Sequence, residues 1–450
     1  MIALFFDEIE KIAKAFKGII KEKKVRVFSH FDCDGISSAA IMTKALIREN
    51  ANFSITFFDQ LKKENVEKIN LEENETLVFL DFGSGQLNNL SKFFDKTQLF
   101  ILDHHFPLKL SHINLYHLNP FLFNEEEISA SVLTYLFSKF LDKRNVELAD
   151  LAILGAIGDE MEEGWEFKGL TKKILKEAED LGKISTLRGI RLYGRNRPIH
   201  KALASTFDPF IPEISGSESN AIQFLSEIPI EIKVGEEFRK LKDLSLEEQK
   251  KLASAIIIER LKLKEEKSED IFGNIYLLLD MPEDLQDARE LSTLLNACGR
   301  MGNPEIGLRI CLKDFSIVDK AIETFFEYKK LIGNCLNLIN EKKLVKRIGD
   351  IVYFIGRDKI PESIVGTLTS ILSNSFFSDA KIVVGFAGSE KVKVSARTNE
   401  DLNLNEVIRN VVEKIGGEAG GHERAAGAYI KENEEEKFIE VLKGVLNGKG

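Results

Sequence analysis

Short apolar runs alternating with helical segments constrain this chain more than any other feature of it. Residues 25–29 (Val-Arg-Val-Phe-Ser), 53–58, 76–81 and 98–103 each read as a strand, and residues 36–48 carry apolar side chains at helical spacing. Strands separated by helices cannot close as hairpins. They pair in parallel through crossovers, which yields a parallel sheet covered on both faces. Residues 129–141 and 148–157 supply two more apolar helices to pack on it. From residue 274 the alternation returns. Residues 275–279 and 307–312 read as strands around a helix at 284–297. A long helix follows at 316–343, then strands at 350–355, 381–386 and 392–396. The fold class is α/β, with a parallel-sheet domain over 1–190, a connector or inserted element over 191–270, and a smaller α/β domain over 271–450.

The length of 450 residues favours two or three such domains. Hydrophobic residues at 44% and charged residues at 30% supply an ample core and a polar surface. No run of eighteen apolar residues occurs, and acids stand within the first ten positions, so neither a transmembrane helix nor a signal peptide is expected. Cys33, Cys298, Cys311 and Cys335 share no CxxC spacing, which points to a reducing cytoplasm. A formal charge of −10 argues against a protein that coats nucleic acid indiscriminately. One stretch runs the other way. Residues 181–207 hold Lys183, Arg188, Arg191, Arg195, Arg197 and Lys201 without an acid among them. Arg188, Arg191 and Arg195, at i, i+3 and i+7, would share a helix face suited to tracking a phosphate backbone, or simply a solvated face. Residues 208–270 then change character, with three prolines, a Ser/Gly cluster and a charged helix from about 245 to 266.

The chemistry lies at the ends of the apolar runs. His30, Asp32 and Asp34 follow the first, Asp81 ends the third, Asp103, His104 and His105 end the fourth, and Asp159 ends the run from 151 to 158. Any one of them is an ordinary turn residue, and Asp34-Gly35 alone would make an Asx turn. In an open parallel sheet, however, ligands gather beyond the carboxyl ends of the strands. Four segments delivering carboxylates and imidazoles to one edge supply oxygen and nitrogen donors without a thiolate, which favours Mn²⁺ or Mg²⁺. The number of donors suits two ions sharing a carboxylate.

His-Phe-Asp-Cys-Asp-Gly at 30–35, Asp81, Asp-His-His at 103–105 and Asp159 resemble, in order, the motifs of the DHH phosphoesterase superfamily. Gly-Gly-Glu-Ala-Gly-Gly-His-Glu-Arg-Ala-Ala-Gly at 416–427 is similar to the signature of the DHH-associated domain, and residues 294–302 strengthen a resemblance to the archaeal RecJ-like nucleases, including the GINS-associated type. The resemblance implies two Mn²⁺ or Mg²⁺ ions per site. His30, Asp32 and Asp81 would hold one, and Asp34, Asp81, His104 and Asp159 the other. His105 would face the scissile phosphate, and Asp103 would orient a histidine. It also implies an active-site cleft between the two α/β domains. On the same resemblance, the added oligonucleotide-binding domain of bacterial RecJ is not expected in a chain of this length.

The C-terminal glycines have a physics of their own. Gly416, Gly417, Gly420 and Gly421 let amides approach an anion, with His422 and Arg424 beside them and Arg397 able to offer a bidentate phosphate contact. A tight packing turn is the plainer reading. The expected function is a metal-dependent exonuclease acting on single-stranded nucleic acid, DNA or RNA, in replication or repair. Two alternatives stay open: a phosphodiesterase of short oligonucleotides, and a replisome scaffold that binds GINS or the replicative helicase with catalysis secondary. No membrane partner is expected.

Overall fold

The computed structural model describes residues 2–206, 209, 211–261, 271–446 and 448. It divides into two compact units, one formed by Met1–Leu187 with Asn274–Phe326 and the other by Arg188–Gly273 with Glu327–Gly450. No helix among the described residues is long and apolar enough to cross a membrane.

The first unit is built on five strands, all parallel: β1 (Lys24–His30), β2 (Phe53–Phe58), β3 (Glu75–Leu80), β4 (Leu99–Leu102) and β5 (Leu115–Leu118). Their order is β2-β1-β3-β4-β5. The chain leaves β1 to add β2 on one side and then β3 on the other. That reversal makes the crevice beyond β1 and β3 the natural ligand site of the sheet. β3 and β4 are buried along their whole length, as strands covered on both faces must be. On one face Phe28 stacks on Phe79 at 5.2 Å; on the other Phe100 meets Phe16 of helix α1 (Ile2–Ile19) at 4.7 Å. Helix α2 (Cys33–Arg48) starts where the side chain of Asp32 accepts from Gly35 N. Its small residues Ser37, Ser38, Ala39 and Ala40 are all fully buried and let α3 (Ala130–Leu141) and α4 (Ala149–Gly158) approach closely.

Two of the expected assignments are corrected here. Residues 307–312 do not form a strand. Residues 307–311 belong to helix α6 (Pro304–Cys311), which Pro304 opens at its first position and Leu312 caps, and whose buried Ile306 and Ile310 lie one turn apart. Nor does 274–326 belong to the C-terminal domain. Helix α5 (Ala288–Arg300) and α6 both pack on α2, completing the first unit. Asn296 on α5 accepts the Cys33 N–H at 2.8 Å.

In the second unit a mixed six-stranded sheet is formed by β6 (Val345–Ile348), β7 (Ile351–Arg357), β8 (Ile382–Ala387), β9 (Lys391–Arg397), β10 (Glu418–Gly421) and β11 (Ala425–Lys431). Their order is β6-β7-β8-β9-β11-β10, with only β7 and β8 parallel. Helices α7 (Leu404–Ile415) and α8 (Glu435–Leu446) bury Val411, Ile408, Phe438 and Leu442 with Val384, Phe386 and Val394 of the sheet. Residues 188–273 have a separate apolar cluster that includes Ile199, Leu203, Ile211, Leu225, Leu252 and Ile256. A helix runs from Leu246 to Leu261, and the expected continuation to 266 lies outside the described residues.

The arginine stretch is not a helix either. Arg188 is exposed on the strand Ile184–Ile190, which pairs with Phe272–Leu278, and Arg191 and Arg195 follow in irregular chain. β-Branched Ile184, Thr186 and Ile190 favour the strand, and Gly194, at φ 99°, separates Arg191 from Arg195. The three arginines share no helix face.

Candidate metal centre

The crevice beyond β1 and β3 is where the sequence-expected ligands meet. His30 ends β1, Asp32 caps α2 and Asp34 lies in its first turn. Asp81 follows β3 in the left-handed backbone region at φ 65°, a conformation that aspartate tolerates better than most residues. Its N–H is tied to the Leu102 carbonyl at 3.0 Å. Asp103, His104 and His105 follow β4, and Asp159 caps the C-terminus of α4.

Asp81 sits at the centre of this group. His30 Nδ1 lies 3.3 Å from its Oδ2, and His104 Nε2 lies 3.4 Å from its Oδ1. His30 Nδ1 is also 2.8 Å from Asp32 Oδ2, and His104 Nε2 is 3.1 Å from Asp159 Oδ2. The sets His30–Asp32–Asp81 and Asp34–Asp81–His104 each bring their donor atoms within 4.8 Å of one another, so Asp81 is common to both. Both carboxylate oxygens of Asp81 are buried, and the His30 and His104 imidazoles that they meet stand at distances longer than a good hydrogen bond. A buried carboxylate left this way is costly unless a cation sits on it. Oxygen and imidazole donors on both sides, and no thiolate, fit a pair of hard or borderline divalent ions. Cys33 is no ligand: its buried thiol lies 3.5 Å from the Leu154 carbonyl, and burial raises its pKa well above the usual range.

The charges of the cluster tell the same story. Burial works against the imidazolium of His30, yet Asp32 and Asp81 outweigh it and raise its pKa well above the usual histidine range. His104 is raised likewise, Asp159 overcoming burial. Burial, with Asp81 and Asp159 beside it, holds the Asp34 carboxyl well above the ordinary carboxylate range. Protons on these groups would offset the same charge that divalent cations would offset, so metal binding here would compete with them.

Asp103 apart, the candidate ligands are held by groups that the sequence did not single out. Asp34, 1% exposed, accepts from Ala130 N at 2.7 Å and Ser131 N at 3.0 Å, both at the N-terminus of α3. A Cβ on Gly155 would stand 2.5 Å from Asp34 Oδ1, so only glycine lets α4 pass so close. Asp103 is fully buried. Its Oδ1 accepts from His104 N, His105 N and His105 Nδ1 at 2.8, 3.1 and 2.7 Å, and its Oδ2 from Ser84 N at 2.8 Å. This carboxylate fixes the orientation of the His105 ring through Nδ1. Glu127 Oε1 stands 3.4 Å from His104 Nδ1.

The loop at 30–35 leans on α5. A Cβ on Gly299 would lie 1.9 Å from the Phe31 carbonyl oxygen, a backbone atom that cannot swing aside. Gly299→Ala is expected to cost about 1–3 kcal/mol through forced separation of α5 from this loop, and to weaken Mn²⁺ binding. Thermal unfolding with and without Mn²⁺ measures both losses, and an unchanged midpoint in both conditions would show that the contact is dispensable.

The remaining expected residues lie in the second unit. Arg397 ends β9, its Nε donating to Ser370 Oγ at 2.9 Å and its Nη1 to Ser395 Oγ and the Ala396 carbonyl at 3.0 and 2.9 Å. Gly420 and Gly421 are not in a loop but in β10, an edge strand of the sheet, and His422 follows them with its N–H on the Ala425 carbonyl.

Three family models match the chain: the N-terminal domain of the DHH family over 24–156, the DHH-CID domain over 192–271 and the DHHA1 domain over 340–448. An uncharacterized protein of Methanocaldococcus jannaschii is 35% identical over 459 residues, covering 98% of this chain and 97% of its own length. RecJ of Thermus thermophilus, solved in complex with Mn²⁺, has a similar fold, with a TM-score of 0.61 at 17% identity. That match covers 98% of this chain, which spans only 55% of the RecJ chain. CDC45 of Entamoeba histolytica is similar over 97% of this chain and 98% of its own, with a TM-score of 0.64 at 12% identity.

Proposed function

This chain belongs to the DHH phosphoesterase superfamily, and from that premise we propose that it is a metal-dependent exonuclease removing nucleotides from an end of single-stranded nucleic acid. The observation that carries the proposal is Asp81. It is a buried carboxylate whose oxygens meet the His30 and His104 imidazoles, and it is common to two sets of candidate metal donors. In this reading His30, Asp32 and Asp81 hold one divalent ion, and Asp34, Asp81, His104 and Asp159 hold the second. Such ions, when bound, supply an activated water and neutralise charge on the transferring phosphoryl group.

The chain's own residues do the rest. Asp103 keeps the His105 ring oriented through Nδ1, and the other ring nitrogen is assigned to meeting the reacting phosphate and handing a proton to the leaving oxygen. Arg397, Gly420, Gly421 and His422 are assigned to holding substrate phosphates. Mn²⁺ in the T. thermophilus RecJ structure supports the choice of metal, with Mg²⁺ the other candidate.

One observation favours a second reading, a phosphodiesterase of short oligonucleotides: Arg188, Arg191 and Arg195 share no helix face, so they offer no helical track for a long bound strand. A single experiment separates the two. End-labelled single-stranded DNA and RNA, each end blocked in turn, are digested beside dinucleotides in Mn²⁺ and in Mg²⁺. Progressive release of mononucleotides from long strands is expected. Turnover of dinucleotides with long strands left intact would establish the second reading instead.

A further inference from the structure

Two aromatic rings stand at the surface beside His105. Phe106, the next residue, is 57% exposed, and Phe121 is 39% exposed. Their centroids lie 6.5 Å apart with the planes tilted by 46°. Exposed phenylalanines are usually mobile side chains on loops, but the backbone under these two is fixed by one fully buried residue. Asn119 Nδ2 donates to the His105 carbonyl at 2.8 Å and to Ser84 Oγ at 2.9 Å, while its Oδ1 accepts from Phe121 N at 3.0 Å. The chain after Phe106 is anchored as well, since Pro107 is buried and Leu108 N is bonded to the Ser84 carbonyl at 2.9 Å. Ser84 in turn donates its N–H to Asp103, the residue that orients His105. Both rings are therefore registered to the same framework as the histidine assigned to the reacting phosphate.

We propose that Phe106 and Phe121 form a stacking platform for the nucleobase next to that phosphate. The inference rests on the exonuclease reading and deepens it, because it states what the substrate must carry: a planar aromatic base within one nucleotide of the bond to be cut. The spacing decides the mode. Stacking needs about 3.5 Å on each side of a base, so no base fits between rings whose centroids are 6.5 Å apart. The base lies on the face of one ring with the edge of the other against it, the offset and edge-to-face contacts that aromatic quadrupoles favour. Stacking of this kind accepts any base, which suits an enzyme that removes nucleotides in sequence without choosing among them. A chain of phosphates without bases would gain nothing from it.

The test compares an ordinary single strand with one whose terminal nucleotide is abasic, placed at each end in turn. The readout is the ratio of kcat/KM for the two, so a general loss of activity from a disturbed loop cancels. At the reactive end the native chain is expected to prefer the intact strand by about five- to a hundredfold, the range that alanine substitution gives for base–aromatic stacking. Phe106→Leu combined with Phe121→Leu keeps the apolar surface and removes the aromatic faces. That variant is expected to bring the ratio to within about twofold of one, and Phe106→Trp to preserve the preference. A native ratio near one, or a leucine variant that discriminates as the native chain does, would overturn the platform. Either result would leave the rings as part of a protein-facing patch with exposed Leu110 and Ile113. If the native chain hydrolyses neither strand, the exonuclease reading fails. Binding of the same two strands, followed by fluorescence anisotropy, then decides the platform separately by the same comparison.

Discussion

Replacing Asp81 with asparagine is expected to abolish hydrolysis while leaving the metal-free protein at least as stable as the native chain. Asparagine is the informative choice because it tolerates the left-handed backbone at φ 65°, where alanine would add about 1 kcal/mol of strain unrelated to metal. The amide keeps the shape and loses the charge that both sets of donors share. Loss of at least one ion and a rate fall of a thousandfold or more, about 4 kcal/mol of barrier, are expected. The stability follows from the neighbours. Burial, and after it the charge of Asp32, hold the Asp81 carboxyl above its usual range, so its ionised form opposes folding. Metal content by mass spectrometry, nuclease rate and thermal unfolding in chelator are read together. A variant that retains two ions and more than about a tenth of the native rate would remove Asp81 from the centre of the mechanism.

His105→Ala is expected to lower kcat by about a hundred- to ten-thousandfold, the span of a positioned acid or base, with metal content unchanged. The ring is a third exposed, and Asp103 keeps its bonds to His104 N, His105 N and Ser84 N when it is gone, so the local fold has support without it. The same measurement tests a rival arrangement. Asp81, Asp103 and His105 also bring donor atoms within 4.8 Å of one another. If the substitution removes an ion, His105 is a ligand rather than the group that meets the phosphate.

That the expected ligands gather at one sheet edge was legible in the sequence because the physics that places them is local. An apolar strand that must be buried on both faces ends where a polar residue follows it, and in a parallel sheet those ends share one edge. His30, Asp81 and the Asp103–His105 run needed no more than that. The supports were hidden because they are tertiary. Nothing near Asp34 announces that the amides of Ala130 and Ser131 receive it, and nothing near His105 points to Asn119. The misread elements failed for a related reason. Residues 307–312 form a short apolar run, which periodicity alone assigns equally well to strand or buried helix, and the opening Pro304 was the signal to weigh more heavily. The arginines at 188, 191 and 195 fit a helical spacing, but their β-branched neighbours and Gly194 outweighed it. The membership of 274–326 in the first unit left no local trace, since it is decided by which surface α5 covers.

That membership has a consequence for the newborn chain. The Cys33 N–H finds its acceptor on Asn296, 263 residues later. At a synthesis rate of about 5–20 residues per second, roughly 13 to 50 s separate the emergence of the two. Throughout that interval the N-terminal sheet can form, but the flank of α2 that α5 and α6 will cover has nothing to cover it, and the loop carrying His30 and Asp32 lacks its brace. The protein is thus most open to aggregation, and most in need of a chaperone, as a half-made chain on the ribosome. The length of that exposure is set by the speed of translation rather than by any property of the finished fold.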